Sequence, residues 1–314
     1  MNKNQVEDIE ILVDRNSSGK KRKWAMYKKD NMKLSEVYDC INPKKAVRLR
    51  ECANMLSFLP TVEGRLKLKH ANFCRVRLCP MCQWRRSLKN YSQIKKILDA
   101  INGQYQYIFL TLTVKNCQPE DLSKTLDTML LAFNLFTKYK RIQDSIKGWY
   151  RGLEITHNTK TDTFHPHIHV LMAVKSYFFT TKAYIKHDEF MKLWKRALKA
   201  EYDPRVDIRR VKGNDAKAIA EVAKYSCKPE EIIYYDDWSL RVNTIRILDA
   251  ALANRRLVAY GGVLKEWHKK LNLDDPDDGN LVDIGDGDEL ATVDNELLFA
   301  WHTGYCQYVR TYID

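Results

Sequence analysis

Three histidines, His165, His167 and His169, alternate along one short segment of the chain. Residues two apart in a β-strand point to the same face of a sheet, so the three imidazoles would share one face. Ile168 and Val170 would then point to the other face, toward an apolar core. A single histidine in such a place is usually structural, but two imidazoles on a rigid strand can hold a divalent cation. We therefore predict a metal site on this strand.

A glutamate completes this site if the two neighbouring strands pair in one particular register. A hard cation such as Mg²⁺ or Mn²⁺ favours carboxylate oxygen, and Glu154 lies in the segment before the histidines. If the strands pair residues whose numbers sum to 321, Glu154 lies opposite His167, and cross-strand partners share a face. A slip by one residue would turn Glu154 to the opposite face, as an ordinary solvent-facing residue.

Glu221, Tyr225 and Lys228 form a second group that could do chemistry. On a helix, Glu221 and Tyr225 are neighbours at positions i and i+4, and Lys228 follows three residues later. Alone, this pattern fits a surface helix with a partly buried tyrosine. Together with a histidine metal site in a basic chain, it suggests a tyrosine nucleophile. The phenol has an ordinary pKa of about 10, so a nearby cation or metal-bound phosphate must favour its ionised form.

Three of the eight cysteines, Cys74, Cys79 and Cys82, stand close together with the spacing of metal ligands. Four-coordinate zinc needs one more ligand, which either Cys52 or His70 can supply. We prefer Cys52 because structural zinc sites usually use thiolates alone; free thiols are the alternative interpretation. Basic residues near these cysteines and near Tyr225 could contact DNA phosphates: Arg75, Arg77, Arg85, Arg86, Lys89 and Lys224.

The charge of the chain is strongly uneven. It holds 53 Lys and Arg against 40 Asp and Glu, for a net charge of +13. Residues 271–314 contain one basic and eleven acidic residues, so the other 270 residues carry a net +23. Such a basic body favours a nucleic-acid partner, although a merely solvated surface is the alternative. The acidic tail is read as a flexible segment, or as one that folds back on the basic body and mimics DNA.

The order of predicted elements indicates an α+β fold. Helices and strands are predicted in the order helix, strand, helix, strand, strand, helix, strand, helix, over 83–101, 105–114, 119–145, 149–156, 164–174, 186–199, 205–211 and 215–228. Asn214 would cap the last helix and Pro229 would stop it. The hairpin of adjacent strands favours a largely antiparallel sheet flanked by helices.

Four contiguous regions are predicted along the chain. They are a basic N-terminal arm over 1–49, a zinc module with a basic helix over 50–100, a catalytic domain over 101–235, and a C-terminal region with the acidic tail over 236–314. The arm could be a plain solvated tail or a DNA contact. No run of eighteen apolar residues and no secretion signal is found, so we expect a cytoplasmic protein without a membrane partner.

Three sequence motifs follow one another in an order that resembles a known superfamily. They are Phe109-Leu110-Thr111-Leu112-Thr113, His165-Pro166-His167-Ile168-His169 and Glu221-Val222-Ala223-Lys224-Tyr225. In this order they resemble the motifs of rolling-circle plasmid replication initiators, the Rep proteins of the HUH endonuclease superfamily. The glutamate four residues before the tyrosine and the cysteine-rich segment resemble one class from Gram-positive plasmids. The resemblance covers about residues 50–235 and implies an HUH-type antiparallel sheet over 101–235.

The resemblance also implies a bacterial DNA nickase and strand transferase. Tyr225 would attack a phosphate at the double-strand origin, giving a 5′-phosphotyrosyl link and a free 3′-OH that primes synthesis. His167 and His169 match the metal pair of the family, with Glu154 as the expected third ligand and His165 as the alternative. The metal would be Mg²⁺ or Mn²⁺, in addition to the structural Zn²⁺.

Further roles and partners follow from the same resemblance. Glu221 would act at termination as a base, and Lys228 would steady the phosphate charge. Double-stranded origin DNA and single-stranded DNA are the implied substrates, with a host helicase and a DNA polymerase as partners and a homodimer as a further option. The chain has no Walker A loop, so it is not itself expected to be a helicase.

Two other classes share part of the pattern. A relaxase usually carries its tyrosine before the histidines, and a single-tyrosine transposase is usually shorter and lacks the cysteine segment. A non-enzymatic, zinc-containing DNA-binding regulator would explain the charge and the cysteines. It would leave His167, His169 and Tyr225 without a role.

Overall fold

The structure is a computed structural model that describes residues 9–211, 216–223, 227–285, 289–291 and 296–312. The helices are α1 Trp24–Asp39, α2 Pro43–Glu51, α3 Pro80–Ala100, α4 Leu122–Phe136, α5 Lys140–Ser145, α6 His187–Leu198, α7 Ala216–Val222, α8 Pro229–Ile232, α9 Trp238–Leu252 and α10 Gly262–Lys270. The strands are β1 Met55–Pro60, β2 Leu66–Ala71, β3 Gln106–Thr113, β4 Ile146–Asn158, β5 Thr163–Val174, β6 Val206–Val211, β7 Val258–Gly261, β8 Leu297–His302 and β9 Gln307–Thr311.

The chain divides into two compact units that are discontinuous in sequence. The first unit comprises Met1–Arg85, Pro229–Val242 and Leu281–Asp314, and the second comprises Arg86–Lys228 and Asn243–Asn280. The four contiguous regions predicted from the sequence therefore do not match the observed units. Residues 236–314 in particular are shared between the two units, so they do not form one C-terminal region.

The first unit is built on an antiparallel sheet with the strand order β2-β1-β8-β9. Strand β1 pairs with its neighbour in sequence, β2, and with β8 from the far end of the chain; Leu56 lies opposite Phe299. Helix α1 buries Trp24, Leu34 and Tyr38 within this unit. The sheet therefore needs strands from both ends of the chain.

The predicted basic arm over 1–49 is wrong from residue 24 onward, because two helices form there. Helix α2 begins with an N-cap at Asn42, whose side chain accepts a hydrogen bond from the Lys45 amide, and with Pro43 in its first turn. Trp24 is buried and donates a 2.7 Å hydrogen bond from its indole nitrogen to Asp14. Lysines lie between the apolar positions of α1, so the amphipathic pattern of this helix was not recognised in the sequence.

The second unit contains the predicted antiparallel sheet, with the strand order β6-β3-β5-β4-β7. Helices cover both faces. On one face Phe133 of α4 packs on Trp149, with ring centroids 4.9 Å apart. On the other, an apolar core joins α3, α7 and α10 to Tyr150 and Leu171 of the sheet. The α+β class with an antiparallel sheet flanked by helices is confirmed.

Two predicted helices differ from the observed ones. The helix expected over 119–145 is broken into a short 3-10 turn, α4 and α5. The helix expected over 215–228 ends at Val222, with Ala223 in a turn; its expected cap, Asn214, lies outside the described residues. No described helix combines the length and the apolar character that crossing a membrane requires.

Candidate metal centres

The histidine strand β5 pairs with β4 in the predicted register. Glu154 lies opposite His167, and Gly152 lies opposite His169. The expected sum of 321 is therefore confirmed, and the glutamate shares a face with both histidines. The hairpin has this register because the cross-strand partners Leu153 and Ile168, on the other face of the sheet, are both buried, and a one-residue slip would move the buried residues of one strand to the opposite face.

Glu154, His167 and His169 converge on one point of this face. The Glu154 Oε2 atom lies 2.8 Å from His167 Nε2 and 2.6 Å from His169 Nε2. The three ligand atoms lie within 4.8 Å of one another, and each side chain is at most 12% exposed. His165 is not part of this cluster within the described residues, although its ring centroid is 5.4 Å from that of His167. The geometry thus favours Glu154 over His165 as a third ligand.

Neighbouring groups orient both imidazoles. His167 Nδ1 lies 3.2 Å from the His165 carbonyl oxygen, and His169 Nδ1 lies 3.2 Å from the Thr111 hydroxyl. A proton on His167 Nδ1, donated to that carbonyl, leaves the Nε2 lone pair for an ion; such outer contacts are usual at metal sites. Thr111 belongs to the first sequence motif and lies opposite His169.

The electrostatics of the cluster suit a divalent cation. Burial raises the pKa of the Glu154 carboxyl, but hydrogen bonds from His167 and His169 outweigh burial and hold the pKa well below its usual range. Burial, together with the positive charges of His167 and Arg205, lowers the pKa of His165. A charged carboxylate beside two imidazoles, whose Nε2 atoms offer lone pairs once an ion displaces their protons, is a donor set that Mn²⁺ accepts. Three protein ligands also leave positions for substrate oxygens.

A glycine on strand β4 lets the end of helix α7 lie close to the sheet beside this cluster. A Cβ atom at Gly152 would lie 2.7 Å from the backbone oxygen of Val222, the last residue of α7. Ile219, Val222 and Ala223 are buried in the core on the same face of the sheet. Because Gly152 has no side chain, the end of α7 can lie directly on the sheet at this residue, which is opposite His169.

The predicted catalytic residues are only partly described. Tyr225 and Lys224 lie outside the described residues. Glu221 is half-buried in the last turn of α7, and Lys228 is exposed immediately before α8. The structure thus brings Glu221 to the end of a helix that ends on the metal face, four residues before Tyr225 in the sequence.

The predicted cysteines form a second cluster, in the first unit. Cys52, Cys74, Cys79 and Cys82 lie together, with sulfur–sulfur distances of 3.6 Å, 3.7 Å and 3.8 Å. Four sulfurs bound about 2.3 Å from one tetrahedral zinc would lie about 3.8 Å apart. His70 is exposed on β2 and is not part of the cluster. The geometry favours Cys52 as the fourth ligand.

Every sulfur of this cluster lies within hydrogen-bond range of a backbone amide. The distances are 3.3 or 3.4 Å, and the donating amides belong to Cys74, Arg75, Val76 and Cys82. Amide donors stabilise a thiolate over a neutral thiol. Burial raises the pKa of the Cys79 thiol, so an ion must displace its proton on binding. The donor set fits a closed, structural zinc site.

Two fully buried residues of α1 support the same interpretation. The Asn31 side-chain oxygen lies 3.1 Å from the Cys79 sulfur, while its amide nitrogen has no hydrogen-bond partner. Turning the amide over would place an N–H donor on the sulfur, as a thiolate requires. The Lys28 ammonium donates to the Cys52 carbonyl at 2.8 Å and to the Asn54 side chain at 2.6 Å. Burial lowers the pKa of Lys28 to about 8.

The predicted DNA-contacting arginines near the cysteines divide into two groups. Arg75 is exposed and Arg77 is half-buried, so both remain candidates. Arg85 is only 2% exposed and donates to the Leu281 and Val282 carbonyls. The prediction for Arg85 is wrong, because a phosphate cannot reach it without unfolding these contacts.

Helix α3 is instead covered by the first acidic run of the tail. Arg86 donates to the Asp277 carbonyl at 3.0 Å, and Lys89 forms an ion pair with Asp274. Asp277 is 6% exposed and accepts the Leu257 amide. The tail is therefore ordered at 274–278 rather than a flexible segment, and it folds back on basic residues.

The positioning roles of four residues were not predicted from the sequence: Gly152, Thr111, Lys28 and Asn31. A glycine inside a predicted strand often marks close approach of another backbone segment, so the role of Gly152 could have been predicted. Nothing in the sequence indicated the buried positions of Lys28 and Asn31, since a lysine on a basic helix is normally exposed.

Comparison with known proteins places the chain in a family. Residues 65–309 match the Rep_1 family of replication proteins, and the chain belongs to it. This confirms the resemblance stated from the three motifs. A protein named Protein rep from Bacillus amyloliquefaciens is 43% identical, over 96% of this chain and 98% of that relative. Protein rep from Lactiplantibacillus plantarum is 38% identical, over 93% and 96%. No solved structure matches the chain.

Proposed function

We propose that this replication protein initiates rolling-circle replication of a plasmid by nicking one DNA strand at the origin. The observation that carries the proposal is the cluster of Glu154, His167 and His169 on the same sheet face that receives the end of α7. Tyr225 lies three residues after that helix end in the sequence. Membership of a replication protein family makes origin DNA the expected substrate.

In the proposed reaction, the Tyr225 oxygen attacks the scissile phosphorus and the bond to the 3′ oxygen breaks. The tyrosine loses its phenolic proton and the released 3′ oxygen gains one, so a 5′-phosphotyrosyl link and a 3′-OH result. A bound Mg²⁺ or Mn²⁺ would polarise a non-bridging oxygen and orient the phosphate. Glu154, His167 and His169 would hold that ion. The phosphodiester energy stays in the tyrosine link, so rejoining needs no ATP.

Two residues beside the tyrosine have proposed roles later in the cycle. Glu221 would act as a base at termination, for water or for a second cleavage, and its half-buried position on α7 is compatible with access to solvent. Lys228, which is exposed, would balance the phosphate charge. The four cysteines of the first unit would hold a zinc ion that has a structural role and does no chemistry.

The proposal is tested by mixing the protein with labelled single-stranded origin DNA and Mn²⁺ and running a denaturing gel. We expect a covalent adduct with the unaltered protein and none with Tyr225→Phe. An adduct that survives Tyr225→Phe would show that another residue is the nucleophile. The absence of any adduct with the unaltered protein would favour a DNA-binding regulator.

A further inference from the structure

Two exposed arginines, Arg209 on the edge strand β6 and Arg205 immediately before it, lie on the face of the sheet that holds the metal cluster. Strand β6 pairs only with β3 within the described residues. Arg209 lies opposite Phe109, and Asp207 lies opposite Thr111, which in turn pairs with His169. Cross-strand partners share a face, so Arg209 and Asp207 are on the metal side.

The Phe109 ring links Arg209 to the metal cluster. Its guanidinium lies 4.3 Å from the centre of the Phe109 ring, and that ring lies 5.5 Å from the His169 ring. The guanidinium is thus within about 10 Å of the His169 ring. Phe109 is 1% exposed, so a rigid platform holds this positive charge beside the cluster.

Arg205 adds a second positive charge at the same end of the sheet. Its carbonyl accepts a 3.2 Å hydrogen bond from the amide of Thr113, the residue opposite His167. Arg205 is exposed, as is Arg209. Neither guanidinium has a carboxylate partner in the part of the chain that the structure describes. Asp207 lies between them, so the edge keeps a net positive charge.

We propose that Arg205 and Arg209 bind backbone phosphates of the DNA strand that flank the scissile phosphate. This inference rests on the proposed nicking function. A guanidinium matches a phosphate with two parallel hydrogen bonds. Four residues of extended chain span about 13 Å, so the two arginines contact different phosphates. Such contacts fix the position of the strand without reading its sequence.

The neighbouring Arg210 supplies a matched control. It is also exposed on β6, but it points to the opposite face, where it donates to the Gln106 side chain at 2.8 Å and lies 4.4 Å from the Phe179 ring. Replacing Arg210 removes the same charge from the same strand. Only the face of the sheet differs.

The test measures DNA binding without cleavage. All variants carry Tyr225→Phe. Each variant is titrated into a fluorescein-labelled single-stranded origin oligonucleotide in the presence of EDTA, and binding is followed by fluorescence anisotropy at several salt concentrations. Each lost phosphate contact on a single strand should reduce the slope of log affinity against log salt by about 0.7. The double variant Arg205→Ala/Arg209→Ala should therefore lose about 1.4 of slope and bind at least about tenfold more weakly.

Arg210→Ala should leave the slope and the affinity close to those of the Tyr225→Phe protein. The proposal is overturned if the double variant keeps its slope and affinity, or if Arg210→Ala loses as much as the double variant. Since no cleavage is measured, these outcomes do not depend on which residue is the nucleophile. Circular dichroism spectra of all variants establish that the sheet is intact.

Discussion

Gly152→Ala directly tests whether the position of the end of α7 on the sheet matters for cleavage. The added Cβ would lie 2.7 Å from the Val222 carbonyl oxygen, where ordinary van der Waals contact begins at 3.4 Å. The atom it meets belongs to the backbone of α7, so no side-chain rotation relieves the clash. The end of α7 must therefore move away from the sheet by about 0.7 Å, the difference between the two distances.

This displacement should slow cleavage while leaving the protein folded. A misplacement of about 1 Å can reduce the rate of a positioned reaction about 100-fold, which corresponds to about 2.7 kcal/mol in the activation free energy. For 0.7 Å we expect a reduction of about 10- to 100-fold. Overpacking of a core typically lowers the free energy of unfolding by about 1–3 kcal/mol, so the variant should fold.

The assay is single-turnover formation of the covalent adduct with saturating single-stranded origin DNA and Mn²⁺. Gly148→Ala is the control, because its Cβ would lie 2.7 Å from the Val263 side chain and 2.9 Å from the Leu264 amide, both on α10. It introduces a similar clash on the same strand and leaves α7 untouched. If Gly152→Ala forms the adduct as fast as Gly148→Ala, the end of α7 does not position the nucleophile.

Three further outcomes are expected. Glu154→Gln keeps the side-chain size but removes the charge, and it should weaken Mn²⁺ binding at least about tenfold in calorimetric titration; an unchanged Kd would contradict the ligand assignment. Lys28→Met should lower the free energy of unfolding by about 3 kcal/mol in urea titration because buried carbonyls lose their donor. Lys29→Met, on an exposed neighbour, should change it by less than about 0.5 kcal/mol; equal effects would refute the argument. A strong zinc chelator should release one zinc per chain and unfold the cysteine cluster; if chelation leaves the circular dichroism and thermal unfolding unchanged, zinc has no structural role.

The parts of the site that depend on local geometry could be predicted from the sequence. Residues on one strand alternate between faces, so His167 and His169 had to share a face. A short hairpin has few registers, and burial of Ile168 selects the one that places Glu154 opposite His167. The short spacing of Cys74, Cys79 and Cys82 similarly restricts these thiols to one turn and the helix that follows.

Features that depend on distant parts of the chain could not be predicted in this way. The basic residues near Arg85 in the sequence indicate a DNA contact, but its guanidinium donates to the carbonyls of Leu281 and Val282. The same holds for Lys89, which pairs with Asp274. Periodicity within one segment carries no information on which remote residue covers it.

The closure of the first sheet by β8 has a consequence for synthesis of the protein. The edge of β1 that pairs with β8 lies about 240 residues before its partner in the sequence. At typical elongation rates of about 5–20 residues per second, that edge waits about 10 to 50 s on the ribosome. During this time the hairpin of β1 and β2 presents unpaired backbone groups, which invite pairing with other chains. A nascent chain therefore keeps this edge of β1 without its partner strand until its final strands emerge.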